Sequence, residues 1–230
     1  MKKPKMILFD YGQTLINECI FNGLAGQKAL LNRAIKNGSG ASAEDIYNFV
    51  EEIEQDIGRY NPDTVDSYKY EIHNFNFQRY VNEYFELEFD IEPWKLEKIF
   101  WDNASPATAT EGIEELLNYL TDNNIRTGVI SNISFGEYAL KERIDELIPT
   151  NHFEFIMAKY IFQFALKKAS LKPEEVWYCG DNPAYDVDGS VNVGMTGVWY
   201  TGAIRHKSVT PKSHHIHIEN WEEMINILNS

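Results

Sequence analysis

The chain has 230 residues, 43% of them hydrophobic, and a net charge of −14. That length can bury one good core plus a smaller accessory one, while no apolar run is long enough to cross a bilayer. The acidic balance argues against a nucleic-acid-binding surface, leaves capture of an anionic substrate to local cations and backbone amides, and favours a site that concentrates a divalent cation.

In chain order, the first element is an apolar run, Met6 to Phe9, too short for a useful helix and suited to a strand buried on both faces of a parallel sheet. It stops at Asp10 and a turn containing Gly12. A carboxylate at the carboxyl end of such a strand sits where open α/β sheets bind ligands; the alternative is a turn aspartate capping the next segment. Residues 25–35 then read as a helix stopped by Gly38-Ser39-Gly40. Ser42 with Asp45 opens the next as a near capping box, with Ile46, Phe49, Val50, Ile53 and Ile57 as its apolar stripe. Residues 66–85 hold Tyr68, Phe75, Phe77, Tyr80 and Tyr84, an aromatic density that suits a small core better than a stacking platform. Pro93 opens a further helix that runs to the break at Asn103-Ala104-Ser105-Pro106. A helical unit is therefore expected over residues 17–103.

From Ala109 onward strands and helices alternate. A helix over 111–121 presents Ile113, Leu116, Leu117 and Leu120 on one face, and a strand over 125–130 leads into Ser131-Asn132. A helix over 135–147, a strand over 153–157 and a helix over 159–169 follow. The strand 176–179 leads into Gly180-Asp181, with Asp186 just beyond. A helix over 185–193, a strand over 196–200 and a helix over 221–228 complete the series, and His214-His215-Ile216-His217-Ile218 reads as a short alternating strand rather than a metal tract. Such βαβ units imply a parallel sheet. The expected class is α/β, with a Rossmann-like parallel sheet core flanked by helices in residues 1–16 and 104–230. Cys19 and Cys179 lack metal-ligand spacing and no disulfide is expected. Met1-Lys2-Lys3-Pro4 enters the first strand without a signal-peptide pattern, so a cytoplasmic protein without membrane or nucleic-acid partners is expected.

Asp10 with Thr14 four residues on, Ser131-Asn132, and Gly180-Asp181 with Asp186 five residues later stand in the order of the motifs of haloacid dehalogenase-like (HAD) hydrolases. The chain resembles that superfamily over nearly its whole length. The resemblance implies that residues 17–103 are an α-helical cap that sets specificity. It also implies that Asp10 is nucleophile and Mg²⁺ ligand, that the Gly12 backbone carbonyl and Asp181 are further ligands, and that Asp186 binds the ion directly or through water. Ser131 and the amide of Asn132 would donate to the transferring phosphoryl oxygens. The implied substrate is a small phosphorylated metabolite, hydrolysed through an aspartyl phosphate that water opens.

Two positions depart from the pattern. Phosphatases of this family usually carry a second aspartate two residues after the nucleophile, which protonates the leaving group and then activates water; here that residue is Gly12. Losing a general acid/base costs about 10²–10⁴-fold in rate, so another residue, such as one from the helical cap, is the candidate replacement, and Gly12→Asp is expected to speed turnover of poor leaving groups. The family's Lys-Pro pair after the third strand also has no counterpart. Lys159 is a weak stand-in, Lys172-Pro173 comes too late, and Met157-Ala158-Lys159 lacks the usual turn of about 2–6 residues, so a lysine-bearing loop is expected to belong between Ala158 and Lys159. Two other classes stay open. Gly12 and the absent lysine favour a catalytically impaired binding or regulatory protein; a metal-independent dehalogenase is opposed by three carboxylates that would repel one another without a cation.

Overall fold

Met6–Phe9 forms β1, with all four side chains fully buried, as a strand covered on both faces requires. The computed structural model describes residues 3–56, 72–158, 162–204 and 209–230. After β1 the chain makes a tight turn in which Gln13 takes a positive φ of 51° and Ile16 N–H donates to the Tyr11 carbonyl at 3.0 Å. It then enters β2 (Ile16–Glu18). Helix α1 (Gly23–Leu31) is capped by Asn22 and ends before the expected 35, because Lys36–Asn37 forms a short strand, β3. Next come α2 (Ala43–Asp56), α3 (Asn74–Tyr84), β4 (Leu87–Glu88) and α4 (Pro93–Ala104). The Ser42–Asp45 cap is present: Ser42 N–H donates to the Asp45 carboxylate at 2.9 Å and Asp45 N–H to the Ser42 hydroxyl at 3.1 Å. The expected stripe residue Ile57 and the segment before Ile72 lie outside the described residues.

The remaining elements are β5 (Ala107–Ala109), α5 (Ile113–Asp122), β6 (Arg126–Ser131), α6 (Glu137–Leu147), β7 (Ile156–Ala158), α7 (Phe162–Ala169), β8 (Val176–Gly180), a π-helical segment Pro183–Asp188, α8 (Gly189–Asn192), β9 (Thr196–Tyr200), β10 (Ile216–Ile218) and α9 (Trp221–Asn229). The strand expected at 153 begins at Ile156, and the helix expected at 185–193 divides into the π-helical segment and α8. The connection at Lys159 lies outside the described residues, as does the loop expected there.

These elements sort into two units. The first comprises Met1–Glu18, Ala107–Asn132 and Ile144–Ser230. Its six-stranded sheet has the order β10-β9-β8-β1-β6-β7, every pair parallel. The chain builds outward from β1 to β6 and β7, then returns to β1's other edge with β8 and continues to β10. The switch point therefore lies between β1 and β8, where an open α/β sheet leaves a crevice beyond its carboxyl ends. Met6, Leu8, Ile130, Phe162, Ala165 and Tyr178 share one core cluster. Elsewhere in this unit Trp221, 1% exposed, stacks on Tyr200 at 4.1 Å and meets Phe9 edge-on at 6.0 Å. Its indole N–H donates at 2.9 Å to the Thr110 hydroxyl, which donates in turn to the Thr14 carbonyl. Trp221→Phe keeps one stacked ring but removes a buried hydrogen bond and leaves a cavity, and a urea titration is expected to show a loss of about 2–3 kcal/mol. In β10 the buried Ile216 and Ile218 flank an exposed His217, which stacks on Trp199 at 4.9 Å.

The second unit comprises Cys19–Pro106 and Ile133–Arg143. Ile46, Phe77, Val81 and Leu87 form its core, with Val50, Ile53 and Phe85 against them. Tyr80 and Tyr84 are more than half exposed, against the expectation of an aromatic core over 66–85; they lie beside Phe49, whose ring stacks on Tyr84 at 4.1 Å. Phe77 and Val81 take the buried face of α3, Tyr80 falls to one side of it, and Tyr84, nearly in line with Phe77, is the last residue of the helix. Arg143, 2% exposed, pairs with Asp102 and the Ser105 carbonyl and lies 4.8 Å from the Trp101 ring, so its buried charge is matched. Among the described residues no helix is long and apolar enough to cross a membrane.

Candidate active site

Strand β1 pairs with β8 so that Phe9 faces Cys179, and Asp10 extends the ladder by donating its N–H to the Cys179 carbonyl at 2.8 Å. Asp10 therefore leaves the sheet beside Gly180 and Asp181. Gly180 is required by its neighbour: a Cβ there would overlap the carboxyl group of Asp186. Asn182 holds the following segment. Its side-chain oxygen accepts from Ala184 and Tyr185 N–H at 3.0 Å, and its carbonyl accepts from Asp186 at 3.0 Å and from Val187 at 3.2 Å. The last is an i→i+5 bond, the π-helical spacing common at functional sites, and it aims Asp186 back so that one carboxylate oxygen accepts the Asn182 N–H at 2.9 Å. The indole N–H of Trp199 donates to the Asp181 carbonyl at 3.0 Å.

One oxygen from each of Asp10, Asp181 and Asp186 lies within 4.8 Å of the others, the one such group among the described residues. Asp186 is buried, and Asp10 and Asp181 are partly exposed. Burial pushes the Asp10 carboxyl well above the usual carboxylate range, and the charges of Asp186 and Asp181 push it further; hydrogen bonds from the Ser131 hydroxyl and the Tyr11 N–H work against this. The neighbouring Cys179 thiol is likewise driven well up, by burial first and then by the same three acids, which makes it an inert buried thiol. Three oxygen donors that repel one another are a donor set fitted to a hard divalent cation.

Of the residues expected from the sequence, Asp10, Ser131, Asp181 and Asp186 are thus brought together. Ser131 is 2% exposed at the end of β6, and Asn132 follows it, exposed. Gly12 lies in the turn after β1, where it bridges to Ile16. Lys159 lies outside the described residues. One residue near this turn escapes sequence reasoning. Glu18 ends the three-residue β2, and one carboxylate oxygen sits 3.6 Å from the point a Cβ on Gly12 would occupy. The other is 3.5 Å from the Tyr11 hydroxyl. A three-residue strand has no periodicity from which this placement could be read.

The chain is 26% identical over 210 residues to the glyceraldehyde 3-phosphate phosphatase of Pyrococcus furiosus, covering 87% of this chain and 82% of that protein. It is similar among solved structures to an HAD phosphatase from Thermococcus onnurineus, with 19% identity, 97% of each chain covered and a TM-score of 0.58. A 2-haloacid dehalogenase from Pseudomonas syringae matches with 16% identity, 100% of this chain and 99% of that one covered, and a TM-score of 0.62. One fold thus accompanies both a phosphatase and a dehalogenase, and only the site can choose between them. A model of the haloacid dehalogenase-like hydrolases matches residues 4–194, and with that share of its length matched the chain belongs to this hydrolase family.

Proposed function

We propose that the chain is a Mg²⁺-dependent phosphatase that hydrolyses a small phosphorylated metabolite through an aspartyl phosphate on Asp10. The observation that carries this reading is the self-repelling cluster of Asp10, Asp181 and Asp186. A dehalogenase attacking carbon has no use for three adjacent carboxylates, whereas attack on an anionic phosphate needs the added positive charge they would hold. The similarity to a glyceraldehyde 3-phosphate phosphatase supports a small phosphorylated substrate.

Asp10, Asp181, Asp186 and the Gly12 carbonyl would hold the ion. What Mg²⁺ supplies when bound is charge that keeps Asp10 ionised and offsets the substrate's own. An Asp10 oxygen then attacks phosphorus while the bond to the leaving oxygen breaks, and water later opens the acyl phosphate. The Ser131 hydroxyl, which donates to Asp10 before substrate binds, then turns with the Asn132 amide to donate to the phosphoryl oxygens. Helices α1 to α4, in the expected cap of residues 17–103, select the substrate, and the enzyme works in the cytoplasm. A second reading, a binding or regulatory protein that does not turn over, is favoured by Gly12.

A panel of phosphate esters including glyceraldehyde 3-phosphate, glycerol 3-phosphate and 4-nitrophenyl phosphate, with 2-chloropropionate alongside, tests both. Phosphate release that needs Mg²⁺ and stops with chelator is expected. Chloride release would reverse the assignment to a dehalogenase, and metal binding without release from any ester would favour the regulatory reading.

A further inference from the structure

The usual second aspartate is absent, yet the space it would enter has a carboxylate beside it. We infer that Glu18 is the general acid/base of this enzyme, an inference that rests on the phosphatase reading above. Three observations support it. Among the described residues, and apart from its two chain neighbours, a Cβ built on Gly12 meets within 4 Å only Glu18 Oε2, at 3.6 Å, so a side chain at position 12 would be directed into the volume that the Glu18 carboxylate borders. Glu18 is held there by its backbone: its carbonyl accepts from the Gln13 side-chain amide at 3.3 Å, and it pairs with Ala107 in the β2–β5 ladder. The carboxylate itself is steadied by the Tyr11 hydroxyl, and Tyr11 is fully buried next to the nucleophile. A glutamate returning on the strand after the turn thus reaches the volume beside position 12 from the other side, with a side chain one methylene longer than an aspartate's.

The proton account closes. As Asp10 bonds to phosphorus, the electron pair of the breaking P–O bond goes to the leaving oxygen, which takes the proton of the Glu18 carboxylic acid and departs as an alcohol. The Glu18 carboxylate then removes a proton from the water that attacks phosphorus, the P–O bond to Asp10 breaks, and Asp10 and protonated Glu18 are restored. An acid is needed most where the leaving oxygen is basic.

The test compares wild type, Asp10→Asn, Glu18→Gln and Gly12→Asp/Glu18→Gln, each shown folded by its melting curve, on glycerol 3-phosphate and 4-nitrophenyl phosphate with Mg²⁺. Glu18→Gln is expected to lower kcat/KM for the alkyl ester about 10²–10⁴-fold, at least tenfold more than for the aryl ester. With the aryl ester it should also give a burst of one nitrophenol per enzyme, because water is no longer activated. Gly12→Asp in the Glu18→Gln background should recover alkyl turnover; the space at 12 accommodates it. A loss of equal size on both esters, no loss, or wild type that cleaves only the aryl ester would overturn the role of Glu18 while leaving the phosphatase reading intact. No Asp10-dependent release from either ester would overturn that reading and this inference with it.

Discussion

Asp10→Asn is expected to abolish Mg²⁺-dependent phosphate release, by at least about 10³-fold, and at the same time to raise the melting temperature of the metal-free protein at neutral pH. The activity loss follows because an amide cannot form the acyl phosphate. The stability gain follows from the site's electrostatics. Burial, Asp186 and Asp181 hold the Asp10 carboxyl above its ordinary value of 3.8, so the metal-free folded state binds this proton more tightly than the unfolded chain. The resulting stabilisation is fully present below 3.8 and is lost as the pH rises through the raised folded value. Above that range the folded protein carries three crowded negative charges. Melting curves at pH 5 and pH 8, with chelator and with Mg²⁺, check this. The wild type should lose stability with rising pH in chelator and regain it with Mg²⁺, while Asp10→Asn should show a flatter pH dependence and a smaller response to the ion. A variant that still turned over in a metal-dependent way would remove Asp10 as the nucleophile.

Gly180→Ala is expected to weaken Mg²⁺ binding about 10–100-fold and to destabilise the fold by about 1–3 kcal/mol, although it adds a single methyl. That methyl would overlap the Asp186 carboxyl group, and Asp186 has little room to yield. Its own N–H and that of Val187 are bonded to the Asn182 carbonyl, and Val187 is fully buried. Titrating the melting temperature with Mg²⁺ reads the affinity without relying on turnover. An unchanged Mg²⁺ response in a folded Gly180→Ala variant would show that Gly180 is not special.

How much of this was legible in the sequence depends on how each feature is encoded. The strands at Met6–Phe9 and Thr196–Tyr200 could be read because the interior of a parallel sheet demands unbroken apolar runs, and the helix starts at Ser42 and Pro93 because capping and a first-turn proline are local chemistry. Asp10, Ser131, Asp181 and Asp186 could be named because they stand at the ends of such runs and match a family pattern. The short pairs β2–β5 and β3–β4 could not, since two or three residues hold no period. The exposure of Tyr80 and Tyr84 could not either, since it depends on which face of α3 the small core takes and on where that helix ends.

What the sequence by itself determined is therefore the set of strands, the acids that end them, and the gap left by glycine at position 12. Only the tertiary structure decided that residues 10, 181 and 186 share one place, through the parallel register of β1 against β8, and that Glu18 borders the volume beside Gly12. The physical reason is range. Burial, capping and strand ends are decided by neighbours along the chain, whereas the meeting of two carboxylates from separate strands depends on sheet order and on a turn that folds the chain back on itself, which no local pattern records.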